Sequence, residues 1–273
     1  MTPARNPARL LIVAGSDSGG GAGIQADIKT ATALGAYAMT AITAVTVQDT
    51  TGVHSFHAVP PQTVGDQIRV VLDDIGADAV KTGMLVSART VEAVANALAP
   101  HALSTPLIVD TVMIAKGGAL LVDDSGVDAI KSLLFPLAAL ITPNAPEAAR
   151  LTGLRVETAD DLIRAAEALR EARRGAAVLV KGGHIPGDTI TDVLADMDGV
   201  HVFRARRIGT GPMHGTGCTL ATAIATGIAQ RLSLQDAVSR ARLYVQEAVT
   251  NGFAFGHGVG LLNHLHAIPP YEG

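Results

Sequence analysis

The chain has 273 residues, 48% of them hydrophobic and 17% charged, a balance that excludes a disordered chain and predicts a compact protein with an extensive core. Its net charge of −4 gives no support to nucleic-acid binding, and its single cysteine excludes an internal disulfide framework. No apolar run approaches the ~20 residues that span a bilayer, and Leu10 to Ala14, after the N-terminal MTPARNPAR, is too short for a signal-peptide core; no membrane association and a cytoplasmic location are therefore expected.

Short β-branched runs alternate with stretches of helical periodicity, the pattern of an α/β fold in which a mostly parallel sheet is covered on both faces. Leu10 to Ala14 reads as a buried strand, GSDSGGGAG as a glycine-rich turn, and Ile24, Ile28, Ala31 and Leu34 as one apolar helix face stopped by Gly35. Strands are predicted near Met39 to Val47 and Ala79 to Thr82, followed by a helix with Val91, Val94, Ala95 and Leu98 on one face. Leu107 to Val109 and Leu140 to Thr142 are the next strands, with a helix over Asp124 to Leu134 between them. Thr158 and Asp161 form a capping pair for a helix that turns Leu162, Ala166 and Leu169 inward, and Ala177 to Val180 is a further strand. Asp198-Gly199, between Ile190 to Met197 and Val200 to Ile208, predicts a tight antiparallel hairpin at one edge of the sheet. Two long helices follow, one from about Gly217 to Arg231 and one capped by Ser233 and Asp236 that buries Ala237, Ala241, Tyr244, Val245 and Ala248. With no linker, repeat or low-complexity run, residues 1–273 read as a single domain.

Three motifs carry chemistry. GSDSGGGAGIQAD, residues 15 to 27, follows a strand and opens a helix, where glycine lets a ligand approach bare backbone amides. Gly21, Gly23 and Ala26 also fit a Gly-x-Gly-x-x-Ala dinucleotide fingerprint, so an NAD-dependent oxidoreductase stands as one alternative and a tight structural turn as another. HGTGCTL, residues 214 to 220, opens a second helix with the amides of Gly215, Thr216, Gly217 and Cys218 converging on one spot, a geometry suited to the charge of a phosphoryl group in transfer. A thiol in that first turn is expected to have its pKa lowered from ~8.5 toward ~7 or below, which makes Cys218 a base or nucleophile; the alternative is a small buried filler. In TPNAPEAARLTG, Asn144 and Glu147 stand three apart at a strand-to-helix junction and can offer oxygen ligands to a hydrated Mg²⁺, or simply cap the helix. Asp110 and Lys181 each end a strand, where ligands gather in open parallel sheets. Arg204, Arg206 and Arg207 read as a solvated strand edge, and no His or Cys set has zinc-ligand spacing.

Taken in order, AGSDSGGGAGIQAD, TAVTVQDT, KTGML, VDTVM, TPNAPEA, VKGGH, HGTGCTL and GHGVGLLNHLH resemble the hydroxymethylpyrimidine and phosphomethylpyrimidine kinases of thiamine synthesis over nearly the full chain. That resemblance implies a ribokinase-like three-layer α/β/α sandwich, a homodimer, ATP and Mg²⁺, and two successive phosphorylations of hydroxymethylpyrimidine. It further implies that Gln48 bonds the aminopyrimidine, that Asp27 and the loop holding Gly15 and Ala22 line the same pocket, and that Met84 and Val112 form its apolar walls. Cys218 would be the base, with the amides of Gly215, Thr216 and Gly217 on the transferring group. Lys181, His214, Gly215 and Gly217 would serve the ATP phosphates, and Asn144, Glu147 and Asp110 would position Mg²⁺. Asp49 stands where Asn usually follows the Gln, and the segment Thr210 to Met213 departs from the usual approach to HGTGC. Enzymes with these motifs also accept pyridoxal or pyridoxine, so a vitamin B6 kinase is the neighbouring alternative, and a non-catalytic ligand sensor on the same fold is a third class.

Overall fold

The computed structural model describes residues 6–113, 121–172, 175–209 and 211–270; Thr210, flagged in the sequence, lies outside them. In chain order the strands and helices are β1 (Ala8–Ser16), α1 (Gly23–Ala33), β2 (Ala36–Gln48), β3 (Val53–Ala58), α2 (Pro61–Asp74), β4 (Ala79–Thr82), α3 (Ala88–Leu98), β5 (Leu107–Val109), α4 (Asp124–Ala129), β6 (Ala138–Ile141), α5 (Ala145–Thr152), α6 (Ala159–Ala172), β7 (Ala177–Val180), β8 (Thr189–Asp196), β9 (Gly199–Arg206), β10 (Met213–His214), α7 (Thr216–Ala229), α8 (Leu234–Thr250) and β11 (Gly260–Leu261). Nine strands form one sheet in the order β3-β2-β1-β4-β5-β6-β7-β8-β9, while β10 and β11 pair separately.

The centre of the sheet, from β2 to β7, is parallel. The expected hairpin is present, with Asp196 opposite Gly199 across β8 and β9. A second antiparallel edge, β2 against β3, was not anticipated. Alternation along the buried strands splits the core in two. Leu11 and Val13 face the layer of α2 to α6, whereas Leu10, Ile12 and Ala14 face α1, α7 and α8, which gives the three-layer α/β/α architecture.

Local signals set the helix ends. Asp161 N–H bonds Thr158 Oγ1 at 3.2 Å while Thr158 N–H bonds Asp161 Oδ2 at 2.9 Å, and Ser233 accepts from the Asp236 amide. The helix expected over Asp124 to Leu134 is α4 continued by a π-helical turn, Ile130–Leu134. One helix face differs from its reading. In α1 the buried residues are Ile24, Ala26, Asp27, Thr30 and Ala31, and Ile28 is 38% exposed. The helix is rotated so that a carboxylate points into the protein, for a reason given below.

After β3 the chain returns past β2 and β1 to lay down β4, so the strand order reverses between β1 and β4, where ligand crevices form at the carboxyl ends of strands. Among the described residues no helix is long and apolar enough to cross a membrane.

Candidate active site

The two glycine turns touch. A Cβ on Gly215 would lie 1.9 Å from the carbonyl oxygen of Gly21 and 3.5 Å from the Cα of Ala22. Gly215 is also the N-cap of α7, with φ of 83° in the left-handed region. Glycine is therefore required there twice over, by conformation and by approach. The backbone amide of Gly23, which opens α1, acts on the Cys218 thiol in the first turn of α7 and favours its ionised form, so both helix starts face one cleft.

On one side of the cleft, Asp17 follows β1 and organises the first turn: it accepts from the amides of Gly19 (2.8 Å), Gly21 (3.1 Å) and Ala22 (2.8 Å). Burial pushes the Asp17 carboxyl up, but the bonds from His214 and from the Ala22 and Gly19 amides outweigh it and hold the group below its ordinary range. Gln48 ends β2, and its Nε2 lies 2.8 Å from His214 Nε2, itself 3.2 Å from Asp17 Oδ2. Met84 approaches Gly15, whose Cβ position is 3.6 Å from the Met84 sulfur. Gly15, Ala22, Gln48 and Met84 thus surround one space at the β1/β4 reversal, with Val112 half-buried beyond β5. Asp49 turns away from it, accepting from Thr51 and Gly52 amides and from His54 in the β2–β3 turn.

Two expected members are not in that space. Asp27 is fully buried beneath it: Oδ2 accepts from Lys81 Nζ at 2.8 Å and Oδ1 from Thr222 Oγ1 at 2.6 Å. A carboxylate with no accessible surface cannot line a ligand pocket, and this inward pairing is what rotates α1. His214, expected on the ATP side, packs against the first glycine turn, with its Cδ2 2.6 Å from the Cβ position of Gly21. Pairing of β10 with β11, through His214 and Leu261, fixes it there.

At the other end, Lys181 Nζ donates to Asp110 Oδ1 at 2.7 Å and lies 3.5 Å from the Cβ position of Gly217, beside the free amides of the α7 start. Burial would pull the Lys181 ammonium down, but Asp110 and Glu147 outweigh it and hold it above its ordinary value. Burial likewise opposes ionisation of Asp110, and Lys181 and Lys81 overcome it, so that carboxyl is lowered. Asn144 and Glu147 form a reciprocal capping box on α5. Both Glu147 oxygens are engaged, Oε2 by Thr111 and Asn144 and Oε1 by the Met113 amide at 3.4 Å, and burial pushes this carboxyl up.

Mg²⁺ suits an all-oxygen donor set and keeps several waters, needing only one or two carboxylates besides substrate phosphates. Asp110 and Glu147, both beside Lys181, meet that requirement. Asn144 Oδ1 accepts from the Glu147 amide at 3.0 Å and, like Glu147 Oε1, keeps a second lone pair. No group of three His, Cys, Asp or Glu with metal-binding geometry occurs among the described residues, so a metal here would depend on phosphate oxygens to complete its shell.

The thiol between the two ends reverses its expectation. Burial pushes Cys218 up to about 11, opposed chiefly by the Lys81 ammonium and by the Gly23 amide, with Asp27 and Asp110 adding to the rise. The residue retains some surface, but its sulfur has lost most of its solvation, and in this site desolvation exceeds the helix-start effect. Lys81 itself was missed in the sequence. The available signal was a lysine inside AVKT, a strand in which every residue is buried.

The glycines that suggested a dinucleotide fingerprint are packed by the protein itself. A Cβ on Gly21 would meet His214 and Leu261 side chains at 2.6 and 2.7 Å, and one on Gly23 would meet the Gly15 carbonyl at 2.3 Å.

Residues 17–263 match the family model described as phosphomethylpyrimidine kinase. A hydroxymethylpyrimidine/phosphomethylpyrimidine kinase of Streptomyces coelicolor is 48% identical over 98% of both chains. A thiamine biosynthesis bifunctional protein of Geobacter sulfurreducens is 48% identical over 94% of this chain, which spans about half (52%) of that relative. Among solved structures, the ADP complex of Bacillus subtilis pyridoxal kinase superposes with a TM-score of 0.86 at 32% identity, covering 95% of this chain and 98% of that one. Match and site geometry agree: the chain belongs to the phosphomethylpyrimidine kinase family.

Proposed function

We propose that the protein transfers the γ-phosphoryl group of ATP to the hydroxymethyl oxygen of 4-amino-5-hydroxymethyl-2-methylpyrimidine, and then phosphorylates the monophosphate to the diphosphate. The observation that carries this reading is the contact of the two glycine turns, with Cys218 between an acceptor space and a lysine-lined phosphate end. Gln48, Gly15, Ala22 and Met84 hold the pyrimidine, with Val112 at the edge of the pocket. Lys181 and the amides of Gly215, Thr216 and Gly217 hold the transferring group, where preformed donors stabilise the charge spread over its oxygens.

In the transfer, the acceptor oxygen bonds to the γ-phosphorus, the bond from that phosphorus to the departing ADP oxygen breaks, and the acceptor proton passes to the Cys218 thiolate. Asp110 and Glu147 would hold Mg²⁺, which when bound neutralises phosphate charge. The solvent-facing turn of Asp49 supports the second phosphorylation, because that charge does not enter the acceptor space.

A single nine-stranded sheet, with the β10–β11 pair holding the second glycine turn against the first, supports reading the whole chain as one kinase domain. The homodimer implied by the family finds support in the exposed apolar side chains of the outer strands, Tyr37, Val45, Val47 and Phe56; sedimentation at micromolar concentration tests it.

Pyridoxal phosphorylation is the second reading, supported by the close structural likeness to a pyridoxal kinase. ADP release with hydroxymethylpyrimidine, its monophosphate and pyridoxal in parallel separates the two. Cys218→Ser is expected to cut turnover by ~10²-fold or more with ligand binding retained, as loss of a general base requires; near-normal turnover would refute that role.

A further inference from the structure

Lys81 is buried with no accessible surface, and the proposed transfer does not use it. A buried ion pair is a poor device for stability alone, since a well-packed apolar pair of the same volume is often as stable or more so. Its position suggests another task. Helices α1 and α7 face each other at two levels: the start of α1 at Gly23 acts on Cys218 at the start of α7, and one turn further along both helices Asp27 accepts from Thr222 at 2.6 Å. Residues four apart on a helix share a face, with their Cβ atoms about 5–6 Å apart. The second level therefore lies directly beneath the thiol. Lys81 enters from β4 and joins that level at Asp27 Oδ2.

The charged groups acting on the sulfur can be named element by element. Lys81 comes from β4, Asp27 from α1, Asp110 from the end of β5 and Lys181 from the end of β7. The two anions oppose a thiolate and the two cations favour it. Lys81 is the cation with the largest effect on Cys218, and it cannot be screened by solvent where it lies. Lys181, by contrast, belongs to the phosphate end of the cleft.

We propose that Lys81 is a positioning residue for catalysis: held under the start of α7 by Asp27, which Thr222 anchors in turn, its ammonium is the fixed counter-charge that sets how readily Cys218 releases its proton. It touches neither substrate nor the transferring group and acts only through the thiol. This rests on the reading of Cys218 as proton acceptor, but it is tested on the thiol itself.

Cys218 is the only cysteine in the chain, so the rate of carbamidomethylation by iodoacetamide, followed by mass against pH on the intact protein, reports this one group. Asp27→Asn keeps an oxygen for Thr222 or Lys81 and removes an anion, leaving Asp110 and the thiolate as the ammonium's counter-charges. It is expected to speed alkylation about tenfold at any pH below the thiol's midpoint. The double variant Asp27→Asn/Lys81→Met then removes the cation without stranding a buried carboxylate, and alkylation should fall about tenfold below that of Asp27→Asn.

Alkylation that is faster than wild type in Asp27→Asn and falls back toward the wild-type rate in the double variant supports the assignment, and it is not what loosened packing would give, because that exposes the thiol in both. Asp27→Asn no faster than wild type, or a double variant as fast as Asp27→Asn or faster, overturns it. Should the double variant fail to fold, Asp27→Asn/Lys81→Gln, which keeps a hydrogen-bonding group beside the new amide at position 27, takes its place: alkylation slower than in Asp27→Asn supports the proposal, and alkylation as fast or faster overturns it. Full turnover in Cys218→Ser would instead defeat the base reading while leaving these thiol profiles intact, so the two failures are distinguishable.

Discussion

Gly215→Ala tests the contact on which the site depends. Alanine at φ of 83° carries the left-handed strain of about 1–2 kcal/mol, which for a chain of this size lowers Tm by roughly 2–8 °C. The larger effect is geometric. The new Cβ would sit 1.9 Å from the Gly21 carbonyl oxygen, and an ordinary carbon-to-oxygen approach of about 3.3 Å requires the two turns to separate by roughly 1.4 Å. A displacement of about 1 Å in a positioned reaction costs on the order of 10²-fold, so kcat should fall at least that far in a protein that still folds. The assay is coupled ADP release at saturating ATP beside a thermal melt. Gly183→Ala is the control, since a Cβ there meets nothing within 4 Å and surface substitutions of that kind stay within about 0.5 kcal/mol. A Gly215→Ala enzyme with unaltered kcat and Tm would refute the reasoning.

Three other outcomes follow from named groups. Because the Cys218 thiol is raised to about 11, a thiolate base makes kcat climb about tenfold per pH unit across the neutral and mildly alkaline range; a flat profile from pH 7 to 9 would show that its ionisation does not limit the transfer. Glu147→Gln preserves the capping box, which accepts either residue, so Tm should hold while the Mg²⁺ concentration for half-maximal rate rises; an unchanged Mg²⁺ requirement would remove Glu147 from the metal site. Asp17 and Asp110 are both depressed below their unfolded values. Their stabilisation is accordingly complete above the unfolded carboxyl range, about pH 4, and is lost as pH falls through the lower folded pKa values. Melts should be flat near neutrality and drop in acid, with a shallower drop in Asp17→Asn, and an identical acid limb in the variant would exclude that carboxylate as a contributor.

Much of the architecture was legible because its signals are local. The caps Thr158/Asp161 and Ser233/Asp236 and the Asp198-Gly199 turn act within a few residues of themselves, and each forms as its sequence requires. Strand β3 was not legible, since its residues are exposed apart from the half-buried Val53 and carry no buried face to impose alternation. Helix α2 had a readable signal that went unread: Pro61 in the first turn, then Val64, Ile68 and Leu72 at intervals of four, all buried.

The site residues divide along the same line, and the division has a physical basis. That both glycine turns open helices follows from local sequence, whereas the direction of each side chain depends on what packs over it. His214 adjoins HGTGC in the chain but is carried to Asp17 and Gln48 by β11, drawn from residues more than forty positions later. Asp27 is one helical turn from the first glycine turn, yet it turns inward because Lys81 and Thr222 offer it partners that water would otherwise have to supply. Cys218 illustrates the sharper point. Its place at a helix start is encoded in seven residues and favours a thiolate, but the opposing cost comes from the protein packed around the sulfur. Desolvation is a property of the assembled fold, so a reading of the motif alone obtains the position of the thiol and the wrong sign for its acidity. A cation placed beneath that sulfur by a distant strand is the kind of group such a site needs if the thiol is to ionise at all, and it is supplied by the one lysine that the sequence hides inside a buried strand.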